Sequence, residues 1–315
     1  MNIIDTASTR AALPFEQLIP ALKALFIAGC EVPMRHTHTL TSPNGDTSTV
    51  LLMPAWQPGG FLGVKTVTIT PGNAACGMPG LFSTYMLYDA QTGEPLAQID
   101  GNELTSRRTA AASALAASYL AAPKARTLLV VGSGRVARLL PAAYRCVRPI
   151  EQVMVWSRCQ ASARALAASL RVDGFDAQAT PDLAQAASQA DVVSCATLAT
   201  APIVQGRWLA PCSHLDLIGS FTPQMREADD ACFANARLVV DTPEALLKSG
   251  DLLGPLSRGV FTAESVAGTL EALTRGVIVG RTAATGRTVF KSVGTALEDL
   301  AAAMLVFKLA ESEGR

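Results

Sequence analysis

Apolar residues recur at Phe15, Leu18, Ile19, Leu22, Leu25 and Phe26, the i, i+3, i+4, i+7 spacing of one helix face, and Gly29 follows as a C-cap. The spacing predicts an amphipathic helix over residues 15–28. From residue 31 to residue 100 the rhythm changes to short runs rich in Val, Ile, Thr and Tyr, at 49–53, 63–70, 84–88 and 95–99. Turn clusters such as Ser42-Pro43-Asn44-Gly45-Asp46 and Pro58-Gly59-Gly60 separate them, which predicts an antiparallel meander. Residues 104–122 are Ala-rich without Gly or Pro, which predicts a helix that Pro123 stops.

Beyond Pro123 strand and helix patterns alternate. Residues 127–131 form an apolar run, 153–157 a second, and 161–170 carry a helical spacing. Residues 191–196, 214–219 and 237–241 read as further buried strands, and 291–309 as a last amphipathic helix. This alternation predicts an α/β unit with a doubly wound parallel sheet.

Composition narrows the class. The 315 residues leave room for two cores, and 49% hydrophobic content excludes a disordered chain. Lys plus Arg equals Asp plus Glu at 26 each, so the basic excess of a general nucleic-acid binder is missing. No uncharged apolar stretch reaches the length of a membrane span, and Met1-Asn2-Ile3-Ile4-Asp5 has no basic segment before an apolar run. The expectation is a cytoplasmic protein without membrane or nucleic-acid partners. The cysteines at 30, 76, 146, 159, 195, 212 and 232 make no CxxC, so they are expected to be buried small residues in a reducing compartment. His36 and His38 share one strand face with no third ligand nearby, so no metal site is expected.

The first apolar strand of the second half runs into Gly132-Ser133-Gly134-Arg135-Val136-Ala137, a GxGxxA loop expected between strand and helix. The first glycine permits the turn, the second lets backbone approach a pyrophosphate, and Ala137 lets the helix pack closely. Dinucleotide sites for NAD end the next strand on Asp or Glu; here that strand ends Val155-Trp156-Ser157-Arg158. Ser157 and Arg158 suit a 2′-phosphate, so NADP (as NADPH) is the expected cofactor, with NAD an alternative.

Several separated stretches together resemble the ornithine cyclodeaminase/mu-crystallin family. The most specific is Asp100-Gly101-Asn102-Glu103-Leu104-Thr105-Ser106-Arg107-Arg108-Thr109-Ala110 and the alanines beyond it. Others are Pro33-Met34-Arg35, Gly63-Val64-Lys65, Asp89-Ala90-Gln91-Thr92-Gly93, Ala196-Thr197-Leu198-Ala199-Thr200, Arg226-Glu227-Ala228-Asp229-Asp230, Phe290-Lys291-Ser292-Val293-Gly294 and Leu297-Glu298-Asp299. The resemblance implies a Rossmann-type doubly wound sheet inserted into a smaller α+β substrate-binding and dimerisation domain. The expected boundaries are residues 1–117 plus 288–315 for the smaller domain and 118–287 for the NADP-binding domain, with the whole a homodimer. It also implies an NAD(P)-dependent enzyme acting on a small amino or imino acid, and adds Thr84, Arg108, Ala196, Thr197, Leu198 and Ser292 to the cofactor residues Gly132, Ser133, Gly134, Arg135, Val136, Ser157 and Arg158.

Arg35, Lys65 and Arg108 fall where the family binds substrate. A carboxylate beside a reacting carbon calls for guanidinium forks, so Arg35 and Arg108 are expected clamps. Arg108 lies in the first turn of the predicted Ala-rich helix, against the helix dipole, as a functional residue would be. Lys65 is the expected catalytic residue, since a desolvated lysine among cations gives up its proton readily. Cyclodeaminases resemble this chain but carry an Asp where it has Phe221, and no carboxylate occurs from Gly219 to Met225. The leading expectation is therefore an NADPH-dependent reductase of cyclic α-imino acids. Ornithine cyclodeaminase, alanine dehydrogenase and a non-catalytic NADPH-binding protein are the alternatives.

Overall fold

The computed structural model describes residues 1–313. The chain forms two compact units, Met1–Arg108 with Thr295–Arg315, and Thr109–Gly294. The first opens with β1 (Asn2–Ile4), α1 (Thr6–Ala11) and α2 (Phe15–Ala28), followed by β2 (His36–Thr41), β3 (Thr47–Trp56), β4 (Phe61–Ile69), β5 (Leu81–Asp89) and β6 (Pro95–Asp100). The strands form one sheet in the order β1-β6-β5-β4-β3-β2, antiparallel except for β1 on β6. The predicted stripe of α2 is the buried one, and Gly29 closes the helix at φ 81° with its N–H on the Leu25 carbonyl.

The Ala-rich helix α3 spans Gly101–Leu120. It starts three residues earlier than its composition predicts, because the Asp100 carboxylate accepts the Glu103 N–H at 2.7 Å. Gly101 is demanded by packing: a Cβ there would lie 2.3 Å from Ser83 Oγ. Arg108 consequently sits beyond the first turn, and the argument from an unfavourable helix dipole does not apply to it. At the other end, Arg148 donates to the carbonyls of Ser118 and Ala121 and Arg281 to that of Leu120, which satisfies the last turn's acceptors.

The second unit holds β7 (Thr127–Val131), α4 (Leu140–Arg145), β8 (Gln152–Trp156), α5 (Gln160–Val172), β9 (Asp176–Ala179), α6 (Leu183–Gln189), β10 (Val192–Cys195), β11 (His214–Leu217) and β12 (Arg237–Val240). Then come α7 (Ala245–Lys248), α8 (Gly250–Ser257), β13 (Gly268–Thr269), α9 (Leu270–Thr274) and β14 (Thr288–Lys291). All eight strands are parallel, in the order β13-β12-β14-β11-β10-β7-β8-β9. The strands β7, β8, β10, β11, β12 and β14 are buried over most or all of their length, as a parallel sheet covered on both faces requires, while β9 and β13 at the edges are more open.

The two compact units part at 108/109 and 294/295, where the sequence suggested domain boundaries at 117/118 and 287/288. At the second of these, β14 pairs with both β11 and β12 and buries all four residues, so Thr288–Lys291 is a sheet strand and not a helix start. Contrary to expectation, the cysteines are not uniformly buried: Cys195 and Cys232 are, but Cys76, Cys146, Cys159 and Cys212 are exposed.

The chain then returns to the first unit as α10 (Ala296–Glu313), which packs on β3, β4 and β5 and against α2. Phe307 of α10 meets Phe61 of β4 edge to face at 6.0 Å.

Candidate active site

In the first unit, alternation along β4 turns Gly63, Lys65 and Val67 to the buried face under α10 and leaves Leu62, Val64 and Thr66 half-exposed on the other. Lys65 is 2% exposed. Its Nζ lies 2.6 Å from Asp299 Oδ2, and Asp299 Oδ1 accepts from Arg108 Nε at 2.8 Å. Arg108 Nη1 donates to Glu298 at 2.5 Å. Glu298 and Asp299 occupy the first turn of α10, where carboxylates also favour the helix dipole.

Burial pulls Lys65 down to about 8, and the charges of Arg108 and Arg35 push the same way, while Asp299 opposes them. Burial alone would raise Asp299, but Arg108 and Lys65 outweigh it and hold the carboxyl below its usual range. The three cations singled out in the sequence therefore act on one another in space, with Arg35 half-buried just before β2. Tyr85 stands opposite Lys65 on β5 with its phenol folded over Gly63, so close that a Cβ there would lie 1.9 Å from Oη. That hydroxyl has no hydrogen-bond partner among the described residues, and burial raises it well above the usual phenol range.

In the second unit the dinucleotide candidates gather at the carboxyl ends of parallel strands, where open α/β sheets bind ligands. Gly132 follows β7, Ser157 follows β8, Ala196 follows β10 and Ser292 follows β14. Gly132 adopts φ 122°, and a Cβ there would lie 2.5 Å from the Ala196 carbonyl oxygen. Gly134 is different: a Cβ there would meet nothing within 4 Å, so the chain leaves open space beside that backbone. The Ser133 and Ser157 hydroxyls are joined at 3.2 Å. Gly134, Arg135, Arg158 and Leu198 are exposed, Val136, Ala196 and Thr197 half-buried, and Ser292 buried with its N–H on the Leu217 carbonyl.

The predicted helix after the glycine loop is cut short. Residues 134–139 run as turns, and α4 begins only at Leu140. Pro141 sits at the start of α4, where a missing N–H costs least, and offers no donor to the Ala137 carbonyl of the turns before it. Thr84 and Arg108 belong to the first unit, with Thr84 half-buried on β5 between Thr66 and Asp100. Phe221, in the second unit, is 40% exposed beside a buried Ser220 whose hydroxyl donates to the Met225 carbonyl.

Glu298, Asp299 and Tyr85 complete this cluster beyond the residues singled out in the sequence. The signal for the first two was present: adjacent acids open a run that is otherwise apolar almost all round, the mark of a buried helix.

Residues 7–314 match the ornithine cyclodeaminase/mu-crystallin family. The chain belongs to that family. A family relative, the Delta(1)-pyrroline-2-carboxylate reductase of Paracoccus denitrificans, is 43% identical over 267 residues, 84% of this chain and 84% of that protein. Among family structures, the Delta(1)-pyrroline-2-carboxylate reductase of Thermococcus litoralis, solved with NADH and L-proline, is 29% identical, with a TM-score of 0.92 over 100% of this chain and 98% of that one. An archaeal alanine dehydrogenase dimer with bound NAD is 28% identical, with a TM-score of 0.91 over 100% and 97%.

Proposed function

We propose that the protein is an NADPH-dependent reductase of cyclic α-imino acids, of the Delta(1)-pyrroline-2-carboxylate or six-membered Delta(1)-piperideine-2-carboxylate type. The observation that carries this reading is Lys65, buried and drawn down to about 8 between Asp299 and two arginines. A group near 8 holds a proton at neutral pH and yields it to a substrate nitrogen, as general acid catalysis requires. The Paracoccus and Thermococcus relatives named for this activity support the same chemistry.

In this reading Arg35 and Arg108 bind the substrate carboxylate. Lys65 Nζ delivers the proton to the imine nitrogen, and the carboxylate raises the proton affinity of Lys65 as it binds. Asp299 holds Lys65 and Arg108 in register. A reduced nicotinamide, when bound, supplies the hydride for the imine carbon. The Gly132–Ser133–Gly134 backbone, with its open flank at Gly134, fits a pyrophosphate, and Arg135, Val136, Ala196, Thr197, Leu198, Ser292 and Thr84 complete the proposed cofactor set. Ser157 and Arg158 at the end of β8, with no carboxylate beside them, favour a 2′-phosphate and hence NADPH.

Cyclodeamination is the weaker reading, because Phe221 replaces the acid that such enzymes use and its neighbours supply none. Reduction of the acyclic imine from pyruvate and ammonia is a second reading, supported by the likeness to the archaeal alanine dehydrogenase. The half-exposed apolar face of the first sheet, with Leu62, Val64, Met86 and Tyr88, suits a second copy of the chain and supports a homodimer. A cytoplasmic setting belongs to this reading; no described helix is long and apolar enough to cross a membrane.

A panel of five- and six-membered cyclic imino acids, and of pyruvate with ammonia, tested with NADPH and NADH decides among these. Oxidation of NADPH by the cyclic imines is expected. Turnover of pyruvate with ammonia alone would favour the second reading, and no turnover of any substrate would leave a binding protein.

A further inference from the structure

One buried carboxylate of the second unit has no part in the chemistry above. Glu227 is 1% exposed. Its Oε1 accepts the Thr197 N–H at 2.7 Å and the Thr197 hydroxyl at 2.8 Å, and its Oε2 accepts the Gly219 N–H at 2.7 Å. Thr197 lies two residues past β10 and Gly219 two residues past β11, which are neighbouring parallel strands. The two Thr197 bonds therefore tie the loop after β10 to the segment after β11, and the Gly219 bond closes that segment on itself.

The two loops also touch. A Cβ at Gly219 would lie 2.0 Å from the Thr197 carbonyl oxygen and 2.5 Å from Glu227 Oε1, so only glycine admits this approach. Glu227 is itself fixed from behind. Its N–H donates to Asp251 Oδ1 at 2.8 Å, and its carbonyl accepts from Ile203 and Val204 at 2.8 and 2.9 Å. The neighbouring cation, Lys291, spends its ammonium on the Leu217 carbonyl at 3.0 Å and lies 3.6 Å from Asp251. A charge held mainly by neutral donors is costly to bury, and burial lifts Glu227 to about 7 against the pull of Lys291 and the Thr197 bonds, so the ionised form that the three donors favour prevails above that pH. What it gives in return is an acceptor-only group that receives three donors at once, which a glutamine cannot do.

The position of these loops gives the staple a purpose. From one side the sheet reads β9-β8-β7-β10-β11, the order 3-2-1-4-5 with which dinucleotide-binding sheets begin, and the last strand of the chain, β14, fills the next place; in such sheets the two halves each take one mononucleotide. The glycine loop and Arg158 belong to the half with β7 and β8. The loops after β10 and β11 belong to the other half, which in the reading above is left for the nicotinamide.

We propose that Glu227 is a positioning residue for the nicotinamide half of the cofactor, joining the loops after β10 and β11 into one preformed surface without touching the cofactor itself. The proposal rests on the NADPH-dependent reading above. It predicts an effect on cofactor affinity that is separable from substrate affinity and from global stability.

The test uses the purified full chain, with Glu227→Gln and Thr197→Val as variants. NADPH affinity is read from nicotinamide fluorescence, KM for the cyclic imino acid from steady-state rates at saturating NADPH, and folding from thermal denaturation. Glu227→Gln is expected to weaken NADPH by roughly tenfold or more, the effect of a lost charge-assisted hydrogen bond. KM for the imino acid should stay unchanged. Thr197→Val should show the same selectivity to a smaller extent, and Glu227→Asp, which keeps the carboxylate but shortens its reach, decides the matter if Glu227→Gln does not fold. The double variant should be no worse than Glu227→Gln alone, because both act on one network. A folded variant that binds NADPH as tightly as the parent overturns the proposal, as does a parallel loss of cofactor and imino-acid affinity. A parent protein that binds no NADPH overturns the functional reading and this proposal together, whereas a parent that turns over normally beside indifferent variants overturns this proposal alone.

Discussion

Asp299 holds Lys65 with one carboxylate oxygen, at 2.6 Å, and Arg108 with the other, at 2.8 Å. The expected proton donor and an expected substrate clamp thus share a single anchor from α10. Lys65 keeps its proton below about 8 and loses it above, so kcat/KM for imine reduction should fall as pH rises through about 8. Asp299→Asn removes the carboxylate that opposes the downward shift of Lys65. The alkaline limb should then move to lower pH, visible in the pH–rate profile of the folded variant; an unmoved limb would separate Lys65 from the proton step.

Arg108→Ala should raise KM for the imino acid by roughly tenfold or more, the scale of a charge-assisted hydrogen bond to a carboxylate. Steady-state kinetics at saturating NADPH measure this. Because Arg108 also binds Glu298 and Asp299 while 5% exposed, the thermal midpoint should fall as well, through two buried carboxylates left short of a cation. Undiminished affinity for the imino acid would remove Arg108 from the site.

Cofactor choice has its own test at Arg158, exposed beyond the end of β8. Arg158→Ala should weaken NADPH by roughly tenfold and leave NADH close to the parent value, since a guanidinium contact to a 2′-phosphate is absent from NADH. Equal losses for both cofactors would sink the 2′-phosphate role.

With ornithine and either nicotinamide cofactor, the protein should release no ammonia above background while oxidising NADPH with a cyclic imine. The ground is the stretch from Gly219 to Met225, which carries Phe221 and no acid. Efficient ammonia release by the unaltered protein, read in a coupled ammonia assay, would falsify the reductase reading.

Gly63→Ala should lower the thermal midpoint without any change of charge. The added Cβ would lie 1.9 Å from Tyr85 Oη and 2.5 Å from the ring carbon that bears it. Overpacking of this kind costs about 1–3 kcal/mol, or more where the neighbours cannot yield. An unchanged melting curve would show that the phenol does not rest on Gly63.

Much of the architecture was legible because it is local. The stripe of α2, the apolar run of β7 and the turn clusters of the meander each declare themselves within a few residues. Lys65 was legible as a lone charge on an apolar strand. Asp299 was not, because its meaning lies in Arg108, 191 positions away along the chain. The strand β14 was hidden by Lys291, whose charge reads as a helix surface yet is fully buried against the Leu217 carbonyl. The short α4 was misjudged because the glycine pattern promised a helix where Pro141 delays one. Arg108 was placed in a first turn because the Asp100 cap, which moves the helix start to Gly101, carries no apolar periodicity.

The late arrival of α10 also governs how the molecule can be made. A ribosome releases Lys65 and Arg108 long before it releases Glu298 and Asp299, so during synthesis two cations wait without the carboxylates that let them be buried together. A nascent or proteolytically shortened chain that ends before α10 has every strand of both sheets and the glycine loop, yet lacks the anchor of its proton donor. The emergence of α10 is thus the event that assembles the ion cluster, and products truncated before it should be catalytically silent even where their second unit folds.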